Sequence, residues 1–247
     1  MKKFAALLYG VLCYFIFFGT FLYAIWFVWT MDKPQLAAAW PRSILINAAL
    51  LSLFAVQHSI MARQWFKRAW TRVISPVIER STFVLFASAI LLLLIRSWQA
   101  MPALIWNVDN EMAQRVLQAL AAVGWLTVLI STFLIDHFDL FGLKQVWSYF
   151  RGTPYHPPAM GTPAFYKLVR HPIYTGFIIA FWSAPRMTAG HLFFAIMSTA
   201  WMLVAIQLEE HDLISFYGDA YRSYRNSVSM LMPWPKSKKA AVPSSAQ

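Results

Sequence analysis

The chain has 247 residues, of which 59% are hydrophobic and only 13% are charged. Soluble domains carry about 25% charged residues, so this composition excludes an ordinary soluble protein and is typical of an integral membrane protein. The net charge of +11 does not indicate nucleic-acid binding, because the basic residues lie between apolar runs. The single cysteine, Cys13, can form no internal disulfide, and no zinc-ligand pattern is present, so we expect no metal site.

Apolar runs follow one another along the chain and predict an all-α fold, an integral membrane helical bundle with five to six spans. About 20 apolar residues in a helix cross the hydrocarbon core of a bilayer. The first run follows two lysines but greatly exceeds the roughly 7–15 apolar residues of a signal peptide, so we expect it to be retained as a helix. The predicted spans are 4–30, 43–61, 81–100, 114–135, 173–185 and 189–208.

The last two runs predict a helical hairpin that enters and leaves the membrane on the same side or, because the fifth is short, a pair of helices that is only partly sunk into it. Pro185 and Gly190 bracket its tip, where a helix must end and reverse. Of the 21 Lys and Arg residues, sixteen fall on the side of the N-terminus and five on the other side. Because Lys and Arg are enriched in cytoplasmic segments, this asymmetry predicts that both termini are cytoplasmic.

The sequence divides into three predicted segments. Residues 1–135 hold four spans, residues 136–233 hold the hairpin and a cytoplasmic lid, and residues 234–247 form a basic tail with the composition of a disordered segment. The chain has no GxGxxG or GxxxxGKS/T motif, and the connection 136–171 is too short for a nucleotide-binding α/β domain. Helix ends and loops would therefore hold any cofactor. Whether the loop 143–169 is an ordered lid stays open.

Polar clusters at the predicted cytoplasmic ends of four spans indicate a functional site. Charged groups beside the hydrocarbon core cost desolvation energy, which function commonly explains. Structural explanations stay open as well: His58 as an interfacial histidine, the aspartates in ion pairs with loop residues, and Arg170 as a positively charged anchor. The clusters are Gln57-His58, Asp136-His137-Phe138-Asp139, Arg170-His171 and Glu209-Glu210-His211-Asp212.

Glu209 and Glu210 are the hardest of these residues to explain as purely structural. The sixth predicted span ends beside them, and negative charge at a helix C-terminus opposes the helix dipole. Either the helix continues, or the two carboxylates have cationic partners. Three tyrosines follow on one helical face if residues 212–225 are helical, as an interfacial stripe or as a lid over a ligand. They are Tyr217, Tyr221 and Tyr224.

The motifs resemble a known enzyme family. The region 170–233 resembles the isoprenylcysteine carboxyl methyltransferase superfamily, whose members are integral membrane enzymes that use S-adenosylmethionine without a Rossmann domain. Its motifs here are Arg170-His171-Pro172-x-Tyr174, Glu209-Glu210 and Phe216-Tyr217-Gly218-x-x-Tyr221-x-x-Tyr224. Other motifs are similar to the bacterial methanethiol S-methyltransferase branch: Gln57-His58-Ser59-x-Met61-Ala62-Arg63 and Asp136-His137-Phe138-Asp139-Leu140-Phe141-Gly142.

The resemblance implies an S-adenosylmethionine-dependent enzyme of the bacterial inner membrane that converts methanethiol to dimethyl sulfide. A small volatile thiol and membrane lipids would be its partners, and the oligomeric state stays open. Glu209 and Glu210 would contact the methionyl ammonium or the ribose hydroxyls. The other implied cofactor-binding residues are Arg170, His171, Pro172 and Tyr174 in the pocket, and Tyr221, Tyr224 and Arg225 in the lid.

Methyl transfer to a thiol predicts a general base. A thiolate attacks far better than a thiol, and free thiols have pKa values of about 8.5. We expect His58, oriented by Asp136 or Asp139, to take the thiol proton. His171 is the competing candidate if it faces the acceptor rather than the cofactor.

Two alternatives to this function stay open. The acceptor could instead be a lipid or an isoprenoid carboxylate or thiol, because an apolar interior suits these as well as a small thiol. The chain could also be a non-enzymatic membrane accessory protein of the NnrU type, whose polar clusters hold helices together.

Overall fold

The computed structural model describes residues 1–31, 40–157 and 161–234. Within them it holds ten α-helices, a short 3-10 helix at Ala164–Lys167, and two strands, β1 at Leu104–Asn107 and β2 at Arg186–Thr188. The predicted all-α membrane bundle is confirmed. Helices α1 to α10 are Lys2–Thr30, Trp40–Ala62, Gln64–Trp70, Pro76–Ser97, Glu111–Ile135, His137–Leu140, Leu143–Arg151, Pro172–Trp182, Ala189–Tyr217 and Asp219–Ser227.

Five of the described helices, α1, α2, α4, α5 and α9, are long and apolar enough to cross a membrane. Large apolar side chains stay exposed on their outer faces. A soluble protein rarely exposes such a continuous apolar surface, whereas lipid tails cover it in a bilayer. The protein is therefore an integral membrane protein. On α1 the exposed side chains recur every three or four residues, at Phe4, Leu8, Leu12, Phe15, Phe18, Leu22, Trp26 and Trp29.

The helix at the fifth predicted span is about half as long as a helix that crosses a bilayer. Helix α8 has 11 residues and is therefore about 16 Å long. The extended segment 183–188, which includes β2, continues from the end of α8. Because lipid offers no hydrogen-bond partners, this backbone must be paired within the protein. It pairs with β1 and its flanks: the Val108 N–H donates to the Pro185 carbonyl at 3.0 Å, and the Trp106 indole donates to the Ala184 carbonyl at 3.1 Å.

Helices α5 and α8 are in backbone contact. A Cβ atom on Gly124 would lie 2.6 Å from the Ala180 nitrogen, and one on Gly176 would lie 2.7 Å from the Gly124 carbonyl oxygen. Small residues are the usual means of such close approach between membrane helices. The contact fixes the middle of α5 against α8.

Helix α9 is longer than the predicted sixth span. The span was expected to end near Glu209, but the helix continues to Tyr217, so both glutamates lie inside it. Gly218 then ends α9 with φ +58 and ψ −129, a backbone conformation open mainly to glycine, and α10 begins at Asp219. Residues 212–225 therefore do not form a single helix, the condition for the shared tyrosine face, and Tyr217 does not share a helix with the other two tyrosines.

The long polar connection is largely folded in its described part. It contains α6, α7 and the 3-10 helix, and Val146 of α7 is fully buried. The segment 158–160 and the predicted tail beyond residue 234 lie outside the described residues. The division of the chain near residue 135 stays a prediction. We call the end of the bundle at α10 the cluster end, and the end at the β1–β2 ribbon the far end.

Candidate active site

The buried carboxylate of Glu210 is the centre of the cluster end. Its side chain is 3% exposed and accepts hydrogen bonds from three neighbours. Arg170 Nε lies 2.7 Å and His171 Nε2 lies 3.0 Å from Oε1, and Arg225 Nε lies 3.0 Å from Oε2. A buried charge is stable only when it is paired and hydrogen-bonded in this way. Both alternatives that the sequence left open therefore hold: α9 continues past the glutamates, and Glu210 has cationic partners.

Arg170 joins the start of α8 to the segment after α10. Its Nη1 donates to the backbone carbonyls of Arg225 and Val228. Its backbone N–H donates to the Ser229 carbonyl at 2.8 Å, and the next N–H, of His171, donates to the Met230 carbonyl at 3.1 Å. Arg170 and His171 are buried, at 7% and 5% exposure. Both residues therefore hold the site together rather than present free polar atoms.

Glu209 has a different environment from its neighbour. Its side chain is 43% exposed, and one oxygen accepts a hydrogen bond of 3.3 Å from the Tyr174 hydroxyl. His171 Nδ1 lies 3.9 Å from the same oxygen. The other carboxylate oxygen has no hydrogen-bond donor among the described residues. Of the two adjacent glutamates, Glu209 is the one with acceptor capacity left for a ligand.

The tyrosines of α10 pack against the site. Tyr221 is 3% exposed, and its ring meets that of Tyr224 edge-on at 5.8 Å. Burial raises the pKa of Tyr224 to about 12, so its hydroxyl stays protonated and donates to the Tyr166 carbonyl at 2.6 Å. Burial likewise raises the pKa of Tyr221. Helix α10 is thus fixed over the cluster end.

Pro172 occupies the first turn of α8, as expected for a proline that starts a helix.

His58 lies on an accessible surface of α2, among aromatic rings and cations. Its ring centroid is 5.6 Å from that of Phe54 and 5.0 Å from that of Phe83. The Arg80 guanidinium lies over the ring of Phe83, 5.0 Å from the ring centroid. Arg80 and Arg63 are the charged groups that act electrostatically on His58.

The two aspartates do not hydrogen-bond to His58. Asp136 caps α6 by accepting from the Asp139 N–H and pairs with Lys144. Burial alone would raise the pKa of Asp136, but the hydrogen bonds from Lys144 and the Asp139 N–H, together with the Lys144 charge, outweigh burial and lower that pKa. Asp139 accepts from the Tyr155 hydroxyl at 2.7 Å. The expected orientation of His58 by either aspartate therefore has no contact to support it within the described part of the chain.

Arg63 connects the two halves of the cluster end. Its Nη1 donates to an Asp212 carboxylate oxygen at 2.8 Å and to the Leu208 carbonyl at 3.0 Å. This pair brings the end of α2, which carries His58, against the segment of α9 that carries Glu209. This pair was not predicted from the sequence. Opposite charges on the polar ends of two neighbouring spans were the available signal, but sequence gives no neighbour order for helices.

The cluster end offers ligands for an organic cation rather than for a metal. In the described residues, no group of three or more His, Cys, Asp or Glu side chains could hold a metal ion. A half-exposed carboxylate beside a tyrosine hydroxyl suits an ammonium or a sugar hydroxyl.

Comparison with known proteins identifies the family. A protein of Mycobacterium tuberculosis named methanethiol S-methyltransferase is 51% identical over 240 residues, which cover 95% of this chain and 98% of the relative. The chain belongs to the methanethiol S-methyltransferase family. A family member from Bradyrhizobium diazoefficiens, named methanethiol S-methyltransferase 1, is 50% identical and covers 95% of this chain and 84% of its own length. One from Crocosphaera subtropica is 48% identical, with coverage of 92% and 91%.

The family expected from the motifs is thereby confirmed. No family model matches the chain, and no solved structure matches it. The methanethiol S-methyltransferase relatives match along nearly the whole chain, so both the α2 motif with His58 and the α9 motif with Glu209 fall within the matched length.

Proposed function

We propose that the chain is a membrane-embedded methyltransferase that transfers a methyl group from S-adenosylmethionine to the sulfur of methanethiol and forms dimethyl sulfide. The observation that carries the proposal is the identity of 44–51% over more than nine-tenths of the chain with six relatives that bear the methanethiol S-methyltransferase name. The geometry of the cluster end supports it, because an accessible carboxylate and an accessible histidine lie on helices joined by one ion pair.

The donor side of the site consists of Glu209, Tyr174 and the residues that fix them. S-adenosylmethionine bound there would supply an electrophilic methyl group on a sulfonium sulfur. Glu209 fits its ammonium or ribose hydroxyls, because this carboxylate is half-exposed and has an oxygen without a donor in the described structure. Glu210 positions Arg170, His171 and Arg225 rather than touching the ligand. The buried Tyr221 and the half-buried Tyr224 of α10 exclude water from that side.

The acceptor side consists of His58 and two arginines. His58 takes the proton from the thiol as the carbon–sulfur bond forms, directly or through water, and later releases it to solvent. Arg63 and Arg80 provide positive charge near the developing thiolate. His171 is less suited to be the base, because it is buried and its Nε2 contacts Glu210. Neither aspartate is needed to orient His58 in this scheme.

The proposal includes the location and orientation of the chain. The methanethiol S-methyltransferase relatives are bacterial. Sixteen of the 21 Lys and Arg residues fall in segments on the cluster-end side of the predicted spans, and these segments include both termini. We place the chain in the bacterial inner membrane with both termini and the cluster end in the cytoplasm, where S-adenosylmethionine is made.

The proposal is tested with detergent-purified protein, S-adenosylmethionine and two acceptors in parallel. Methanethiol should give dimethyl sulfide in the headspace, and a prenylated cysteine should give no methyl ester. Methylation of the prenylcysteine alone would show that the acceptor is an isoprenoid compound and not methanethiol. No product from either acceptor, together with no calorimetric binding of S-adenosylmethionine, would favour an accessory role.

A further inference from the structure

A cavity of about 260 Å³ lies at the far end of the bundle, on the opposite side of the membrane from the candidate active site. Helices α1 and α5 form its walls together with the end of α8 and the start of β2. Sites for whole drug-sized ligands measure about 300–1,000 Å³. The cavity is therefore sized for part of a larger molecule. None of the residues proposed for methyl transfer lines it.

Arg186 is the only formally charged residue that lines the described part of this cavity. It forms no ion pair with any described carboxylate, and its buried Nε–H has no acceptor there. The acidic groups that follow β1 have other partners: Asp109 accepts from Asn107, and Glu111 pairs with Arg115. A partly buried guanidinium without an anion is costly at a membrane boundary, so an external anion is expected beside it.

The wall formed by α5 changes from polar to apolar with depth. Gln114 and Gln118 line the cavity near the start of the helix, and Ala121 and Trp125 line it one and two turns deeper. These positions are three or four residues apart and share one helical face. Gln118 makes no hydrogen bond to the described residues. The cavity thus combines unsatisfied donors at the mouth with an apolar floor toward the bilayer core.

This combination matches a lipid headgroup. A guanidinium binds the oxygens of a phosphate in a fork geometry, and the positive end of the α5 dipole lies at the same level. A free phosphate would have no use for the apolar floor, whereas a phospholipid fills it with the start of its acyl chains. We propose that the far-end cavity binds the phosphate group of a membrane phospholipid, with Arg186 and Gln118 as hydrogen-bond donors.

The test is native mass spectrometry of the full chain, delipidated in detergent and titrated with phosphatidylglycerol. Arg186→Gln should lower the apparent affinity of the first bound lipid at least tenfold. Arg115→Gln is the matched control, because Arg115 lies on α5, the helix that carries Gln118, but its side chain is 74% exposed and does not line this cavity. It should bind the lipid as the unchanged protein does. Gln118→Leu, at an exposed helix position, should also weaken binding and keeps the test valid if Arg186→Gln fails to fold.

Two further probes separate the lipid from other sources of the same chemistry. Diacylglycerol, which lacks the phosphate, should not occupy the site, and inorganic phosphate alone should not protect the protein against thermal unfolding. Equal lipid binding by the unchanged protein, Arg186→Gln and Gln118→Leu would overturn the proposal. Binding of diacylglycerol as strong as that of phosphatidylglycerol would overturn it as well. So would a case in which phosphatidylglycerol has no effect, while inorganic phosphate protects the unchanged protein but not Arg186→Gln.

Discussion

The side chains of the adjacent Glu209 and Glu210 on α9 are 43% and 3% exposed, and this difference predicts different consequences of mutation. Glu209→Gln should raise the KM for S-adenosylmethionine about tenfold or more, since a charge-assisted hydrogen bond contributes about 1.5–3 kcal/mol. Its melting temperature should stay close to that of the unchanged protein. Glu210→Ala should instead destabilise the fold by about 3–5 kcal/mol, because it leaves Arg170 buried without its carboxylate.

Steady-state kinetics and thermal unfolding in detergent measure the two effects. Glu111→Gln, on the exposed start of α5, is the control and should change neither. The assignment of roles is wrong if Glu209→Gln unfolds the protein, or if Glu210→Ala leaves the melting temperature unchanged and only weakens cofactor binding.

The base assignment rests on one histidine and has a matched control nearby. His58→Ala should lower kcat by about 10²–10⁴, the usual contribution of general base catalysis, and should leave calorimetric binding of S-adenosylmethionine unchanged. His211→Ala is the control, because its side chain is 82% exposed on α9 at the same end of the bundle. Near-normal turnover by His58→Ala would remove this residue from the mechanism.

At the scale of the helices, α5 and α8 should tolerate no side chain at their contact. Gly124→Ala adds a Cβ 2.6 Å from backbone, so the helices must separate and the free energy of unfolding should fall by about 1–3 kcal/mol. Gly19→Ala on α1 meets nothing within 4 Å and should stabilise its helix by up to about 1 kcal/mol. Chemical unfolding of both variants measures the difference. Equal effects of the two substitutions would contradict the backbone contact.

Helix α6 is anchored by a neutral histidine, which makes stability depend on pH. His137 Nε2 lies 2.9 Å from the Tyr14 hydroxyl of α1, and its Nδ1 lies 2.8 Å from the Thr132 hydroxyl. Burial lowers the pKa of His137 below its ordinary value of about 6.5. This stabilisation is fully present above that value and is lost as the pH falls, since the unfolded chain takes up the proton first.

The melting temperature should therefore decrease as the pH is lowered from about 7.5 to about 5.5, and this decrease should be smaller in His137→Asn. Differential scanning fluorimetry in detergent at both pH values measures it. Parallel pH profiles of the two proteins would show that His137 does not titrate with unfolding.

Sequence patterns predicted the long helices well because each is a continuous apolar run with few charges. They failed where tertiary contacts determine the structure. The β1–β2 ribbon pairs three or four residues across about 80 positions of sequence, which leaves no local periodicity. Helix α9 continues through Glu209 and Glu210 because Arg170 and Arg225 neutralise the buried charge, and these partners come from other elements.

The same limit applies to the candidate site. The motifs predicted polar residues from several spans at one end of the bundle, and Tyr174 does contact Glu209. They could not show which of the two glutamates is exposed to a ligand, because the burial of each side chain depends on how α8 and α10 pack. They also paired His58 with aspartates that instead contact Lys144 and Tyr155, whose positions follow from the fold of α6 and α7.

For the whole molecule, the two ends should be accessible from opposite sides of the membrane. Asp219 at the cluster end has a 93% exposed side chain, and Asp109 lies exposed at the far end. In a chain with Cys13 replaced by Ala, a membrane-impermeant maleimide should label Asp109→Cys in intact bacterial spheroplasts. It should label Asp219→Cys only after permeabilisation. The reverse pattern would place the cluster end outside the cell and contradict the positive-inside orientation.

The central claim is the transfer of a methyl group from S-adenosylmethionine to methanethiol by this chain. The most direct measurement supplies the purified protein with S-adenosylmethionine that carries a trideuterated methyl group and analyses the headspace by mass spectrometry. We predict dimethyl sulfide with one trideuterated methyl, formed in proportion to enzyme and reduced in Glu209→Gln when the donor is below its KM. Unlabelled dimethyl sulfide, or none above the level without protein, would contradict the account.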